Sequence, residues 1–74
     1  MKIEIRLFAT FRQGREKKQF LDFEENTTVE DVLKKLDIGK DEVAILLING
    51  RDGSVERKLE DGDVISMFPP VGGG

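Results

Sequence analysis

Only one stretch of this 74-residue chain carries a helical period. Val29, Val32, Leu33 and Leu36 fall at i, i+3, i+4 and i+7, one apolar stripe. Thr28 stands before the stripe as an N-cap, and Asp31 follows where a carboxylate favours a helix start. Gly39 lies close to where a C-cap glycine belongs. The remaining apolar residues read as strands. One helix covers only one face of a sheet, so the other face is left to solvent or to a partner.

The strands follow from alternation. Lys2 to Phe8 sets Ile3, Ile5 and Leu7 on one face and Lys2, Glu4, Arg6 and Phe8 on the other. Ala9 to Lys17 is a polar connection. Lys18 to Glu24 is a second strand whose parity stays open, because Phe20 and Leu21 are adjacent. After the helix comes the apolar run Val43 to Ile48, ending at Asn49-Gly50, with Arg51-Asp52-Gly53 continuing the turn. Ser54 to Leu59 holds a short edge strand or an irregular segment. Glu60 to Asp63 is an acidic turn, and Val64 to Phe68 is the last strand, stopped by Pro69-Pro70. A central first strand with the last strand beside it gives a mixed sheet of four to five strands, with one main helix packed on one face. The class is α+β, in the ubiquitin-like β-grasp arrangement. Residues 1–68 are expected to form that domain and residues 69–74 a flexible tail, Pro-Pro-Val-Gly-Gly-Gly.

Strand parity sorts the open face. With Ala44, Leu46 and Ile48 toward the helix, Val43, Ile45 and Leu47 point outward. With Ile65 and Met67 inward, Val64, Ser66 and Phe68 point outward. The uncovered face then carries Phe8, Ile45, Leu47, Val64 and Phe68. Such a patch on a small domain marks a partner-binding surface, unless a homodimer or a second layer hides it.

The run Phe68-Pro69-Pro70-Val71-Gly72-Gly73-Gly74 is the other informative feature. Proline fixes φ and holds the chain extended as it leaves the body. Glycine has no side chain to bury and loses the most backbone entropy on ordering. A stiff exit, a thin tip and an unhindered α-carboxylate suit delivery of that carboxylate into another protein's active site. A frayed terminus is the plainer alternative.

Composition narrows the chemistry. The chain has no histidine and no cysteine, so it lacks the commonest general base, a thiolate nucleophile and the usual metal ligands. A chain this short cannot hold a deep cleft beside a core, so an independent enzyme is not expected. The formal net charge of −3 disfavours phosphate-mediated nucleic-acid binding. Arg12, Arg15, Lys17 and Lys18 cluster early and are expected to be solvated, as are Arg6 and Arg12 even where they could meet acidic groups on a partner. No apolar stretch reaches bilayer length and Met1-Lys2-Ile3-Glu4 is no signal peptide, so a cytoplasmic location is the expectation.

Four segments together resemble one family. The tail Phe68 to Gly74, the stretch Phe8-Ala9-Thr10-Phe11-Arg12, the turn Leu59-Glu60-Asp61-Gly62-Asp63 and Ile48-Asn49-Gly50 look like the matching signatures of MoaD, the small subunit of molybdopterin synthase. The short connections after Phe11 and after the helix are closer to ThiS, the thiazole sulfur carrier. The chain is therefore similar to MoaD/ThiS-type sulfur carriers along its whole length, nearer MoaD at the tail.

The resemblance implies a chemistry. The ionised α-carboxylate of Gly74 would attack the α-phosphate of ATP inside an adenylating enzyme of the ubiquitin-activating type. A sulfur donor would then displace AMP and leave a thiocarboxylate. That group would carry sulfur to a MoaE-type large subunit building molybdopterin. Gly73 and Gly74 would thread a narrow tunnel, Gly72 would matter less, Phe68 and Val71 would anchor the tail's base, and Pro69 and Pro70 would bind the partner with them. No bound cofactor or metal is implied; ATP belongs to the activating partner. The alternatives are a carrier for thiazole or another sulfur metabolite, a ubiquitin-like modifier joining Gly74 to lysines, and an interaction module with an idle tail.

Overall fold

The computed structural model describes residues 1–70. Its elements are β1 (Lys2–Leu7), a 3₁₀ turn (Ala9–Arg12), β2 (Lys18–Asp22), α1 (Val29–Leu36), a second 3₁₀ turn (Lys40–Glu42), β3 (Ile45–Ile48), β4 (Arg51–Asp52) and β5 (Val64–Phe68). They form one five-stranded sheet in the order β2-β1-β5-β3-β4. β1 and β5 run parallel at its centre, and the other neighbours are antiparallel. This is the ubiquitin-like β-grasp fold. Its parallel centre is possible because α1 lies in the crossover between the first hairpin and the later strands.

The core is the layer between α1 and one sheet face. Ile3, Ile5 and Leu7 of β1, Leu46 and Ile48 of β3, and Ile65 and Met67 of β5 meet Val29, Val32 and Leu33 of α1 there. Ile38 and Leu59 close the layer's margins. The N-terminus of α1 carries a capping box. The Asp31 N–H donates to Thr28 Oγ1 at 3.3 Å, and the Thr28 N–H donates to Asp31 Oδ2 at 3.0 Å. The Thr28 backbone N–H and hydroxyl both donate to Asp31 Oδ2 and hold its carboxyl below the ordinary range.

Three local expectations change. Asp37, not Gly39, ends the helix. It takes the left-handed conformation (φ 59°) and its N–H donates to the carbonyls of Leu33 and Lys34, a role an aspartate can fill because its short polar side chain tolerates that region. Gly39 instead opens the second 3₁₀ turn. Arg51-Asp52 is strand β4 rather than turn, because Asn49 and Gly50 complete a two-residue hairpin with φ 54° and 81°. Of the two readings open for Ser54 to Leu59, the irregular one holds, with the segment tied to the helix start by the bridge between Thr28 and Lys58. The third change concerns the run before β3. Strand alternation begins only at Ile45, so Val43, just past the 3₁₀ turn, packs against the core, and Ala44 is exposed rather than facing the helix.

The first connection also contributes more than a linker. Phe11 is only 4% exposed and belongs to the core. Arg15, expected to be solvated, donates to the carbonyls of Leu36 (3.1 Å), Phe11 (3.4 Å) and Asp37 (3.2 Å). It satisfies carbonyls that the end of α1 leaves without helical partners.

Candidate functional site

Among the described residues nothing covers the sheet face opposite α1, and pairing register sets what lies on it. Residues directly opposite share a face. Ile45 stands opposite Phe68, Leu47 opposite Ser66 and Asp52, Arg6 opposite Ser66, and Glu4 opposite both Val64 and Phe20. Alternation from the buried Leu7 and Met67 places Phe8 and Phe68 side by side on the open face. The open parity of β2 resolves here. Leu21 turns inward to pack on the core, while Phe20 is on the open face and 56% exposed.

All five apolar residues singled out from parity lie on this face, but not as one patch. Phe8, Phe68 and Ile45 make a row at the end where β5 leaves the sheet, with Leu47 diagonal to Phe68. The Phe8 and Phe68 rings stack at 4.3 Å between centroids. Ile45 is 49% exposed. Val64 sits at the other end of β5, separated from Phe68 by Ser66 and flanked by Glu4. A mixed-charge band of Arg6, Glu4 and Lys18 crosses the face between Phe20 and the aromatic row. Arg6 pairs with Glu4, and Lys18 Nζ lies 3.9 Å from the same carboxylate.

The backbone around the row is tightly held. The Phe8 N–H donates to the Met67 carbonyl at 3.3 Å, and the Ala44 N–H donates to the Phe68 carbonyl at 2.9 Å. Ala9 turns the chain out of β1 with φ 53°, a conformation costing a side-chain-bearing residue about 1–2 kcal/mol. The turn leaves Phe8 on the open face and lets Phe11 enter the core. Arg12, expected to be solvated, donates its Nε–H to the Leu7 carbonyl at 2.9 Å and sets its guanidinium 5.4 Å from the Phe8 ring centroid. The row thus has a cation at its rim, a geometry worth about 0.5–1 kcal/mol at an exposed position.

Beside the row, Pro69 and Pro70 border a shallow groove between the two 3₁₀ turns. Thr10 and Gln13 line one wall, and Asp41 and Glu42 line the other. Val71, Gly72, Gly73 and Gly74, where sequence reasoning placed the carrier chemistry and part of the anchor, lie outside the described residues. Among the described residues no group of three acidic, histidine or cysteine side chains is placed to hold a metal ion. No helix among them is long and apolar enough to cross a membrane.

Two turns noted only for their residue types prove to be joined. Asp63 is 5% exposed. It accepts from Asn49 Nδ2 at 2.9 Å and from the Glu60 N–H at 2.8 Å, while Asn49 Oδ1 accepts from the Val64 N–H at 2.9 Å. The Asn-Gly hairpin and the Asp-Gly-Asp turn are therefore one unit, which fixes where β5 starts relative to β3. That register carries through to Phe68 opposite Ile45 at the other end.

Comparison with known proteins agrees with this architecture. Residues 5–74 match the model of the ThiS family. Small archaeal modifier protein 3 of Haloferax volcanii is 36% identical, with all of both chains aligned. The crystal structure of SAMP1 from Haloferax volcanii superposes with a TM-score of 0.81 at 26% identity, covering all of both chains. A complex of subunits 1 and 2 of molybdopterin-converting factor from Helicobacter pylori contains a chain that superposes with a TM-score of 0.64 at 27% identity, again over all of both chains.

Proposed function

The chain belongs to the ThiS family, and from that premise we propose that it is a sulfur carrier working through Gly74 in molybdopterin synthesis. The observation that carries the reading is the Phe8–Phe68–Ile45 row at the root of the Pro69-Pro70 exit. A partner that grips this row holds the following residues at a fixed reach. The reaction of the terminal carboxylate then becomes effectively intramolecular, which accelerates it without any catalytic group on this chain.

The chemistry is a substitution at phosphorus followed by one at the acyl carbon. An oxygen of the Gly74 carboxylate attacks the α-phosphate of ATP in an adenylating partner, giving an acyl-adenylate and releasing pyrophosphate. A sulfur nucleophile then attacks the acyl carbon and AMP leaves, so the terminus becomes a thiocarboxylate. The sulfur is handed on in a second partner. The Helicobacter pylori complex, in which a similar chain sits with subunit 2 of molybdopterin-converting factor, supports a large subunit of that kind as the acceptor. Glycine suits Gly73 and Gly74 because a Cβ would restrict φ and widen the tip.

A second reading has its own support, since a full-length relative at 36% identity is a small archaeal modifier protein. In that role Gly74 would form isopeptide bonds with lysines after the same activation. Intact mass measurement separates the two. After incubation with ATP, an activating enzyme and a sulfide source, carriage replaces one terminal oxygen by sulfur. Modification instead yields larger proteins bearing a glycine remnant on lysine. Neither product under these conditions would remove both readings.

A further inference from the structure

We propose that β2 is a self-complementary edge, through which two copies of this chain pair antiparallel about a twofold axis to make one continuous sheet. Among the described residues no second strand pairs with this edge. β2 borders only β1, and at the opposite edge β4 is two residues long. β2 has five residues, Lys18-Gln19-Phe20-Leu21-Asp22, with no proline and no charge pointed into the core to blunt it.

Hydrogen-bond direction fixes which groups the edge offers. The Lys17 carbonyl accepts from Leu7, the Phe23 N–H donates to Met1, and the Met1 amino group donates to Phe23. Odd-numbered residues of this strand therefore spend their backbone groups on β1. By the alternation of an antiparallel ladder, the N–H and C=O groups of Lys18, Phe20 and Asp22 point away from the sheet. An antiparallel copy centred on Phe20 brings Phe20 opposite its own equivalent, and Lys18 opposite Asp22 of the second copy. Each is then a doubly hydrogen-bonded pair, and every outward group of the three residues finds a partner.

Side chains agree with that register. The strand is charge-palindromic about Phe20, with Lys18 two residues before it and Asp22 two after. Pairing about the twofold therefore sets opposite charges across the join at both ends. Any other occupant of the edge would have to supply that pattern independently, whereas a second copy supplies it by symmetry. Phe20, 56% exposed in the monomer, meets the ring of its equivalent on the open face, a cross-strand aromatic pair. β1 lies between β2 and β5, so pairing here leaves the Phe8–Phe68 row uncovered. A five-residue strand pair is a small interface, so the dimer forms at roughly 0.1–1 mM protein.

The test is sedimentation equilibrium of the wild type, of Lys18→Asp, of Asp22→Lys and of the two variants mixed. The wild type should shift from one to two chains across that concentration range. Each variant alone sets like charges across the join at both ends and should remain a single chain. Mixed in equal amounts they restore opposite charges at every join and should pair again, which also shows that both are folded. A wild type that stays monomeric throughout would overturn the proposal. So would dimerisation untouched by either substitution, or variants that ignore each other when mixed.

Discussion

The rings of Phe8 and Phe68 lie 4.3 Å apart and within 12° of parallel, on neighbouring parallel segments at the end of the sheet where the chain departs. Neither ring is fully buried, so the pair is built on the surface rather than in the core. Stacking holds the two rings face to face and spares a partner the entropy of ordering them.

A double-mutant cycle tests this pairing. Phe8→Ala and Phe68→Ala should each cost about 1–2 kcal/mol of stability, with a coupling of about 1 kcal/mol between them. Affinity for the adenylating partner proposed above should fall further, by about 2 kcal/mol or more, as for an aromatic hot spot. Urea titration and calorimetric binding read the two effects separately. A stability loss of 4 kcal/mol or so on Phe68→Ala would put that ring in the core instead.

The Asn49–Asp63 tie should be the most sensitive polar feature. Asn49→Ala leaves the Val64 N–H and part of the Asp63 carboxylate without partners and also places alanine at φ 54°. The expected loss is about 2–4 kcal/mol, from unsatisfied polar groups and backbone strain together. Asn49→Gly relieves the strain and keeps only the hydrogen-bond loss, so its denaturation midpoint should lie between alanine and wild type.

Gly53 is required for space rather than for conformation. A Cβ there would come within 2.6 Å of Ile48 Cγ1, in the core beneath β3. Gly53→Ala should therefore destabilise by about 1–3 kcal/mol, as overpacking does. The companion change Ile48→Val removes the Cδ1 methyl that would also be struck. It should recover part of the loss in the double variant, measured by thermal unfolding.

Acid stability should carry the signature of the capping box. Hydrogen bonds from the Thr28 backbone and side chain hold the Asp31 carboxyl below the ordinary aspartate range. A carboxylate depressed in the folded state stabilises fully above its unfolded pKa, and that stabilisation fades as pH falls through the folded value. Asp31→Asn should flatten this part of the acid limb and leave the slope near neutrality unchanged. Denaturation midpoints measured from pH 6 down to pH 2 check it.

Much of this fold was legible because two periodicities do most of the work. The α1 stripe and the alternation in β1 and β5 each bury what they predict. What escaped depends on contacts distant in sequence. Phe11 enters the core only because Ala9 adopts a positive φ, and a polar connection gives no hint of that. Arg15 reads as one more solvated cation until the end of α1 is brought beside it. The parity of Phe20 and Leu21 is undecidable locally, and pairing with β1 decides it. At the candidate site, alternation identified the residues of the open face. It could not show that Ser66 and Glu4 divide Val64 from the aromatic row, since that division is a matter of which strands are neighbours.

Removal of Gly74 separates carrier chemistry from folding. The core cluster runs from Ile3 to Met67, and the last backbone bond that β5 makes to β3's approach is at Phe68. Deleting Gly74 removes no member of either. The shortened chain should unfold at the wild-type urea concentration, within about 0.5 kcal/mol, the range of changes remote from packed or bonded groups. Under the carrier role proposed above, its adenylation should nevertheless be lost, because the reacting carboxylate would stop about 3.5 Å short of its place in an adenylating partner, and misplacement of even 1 Å costs such reactions about a hundredfold. ATP–pyrophosphate exchange with the activating enzyme measures that loss directly. Exchange at the wild-type rate would show that the reaction is not positioned by the grip on the Phe8–Phe68 row and the length of chain beyond it.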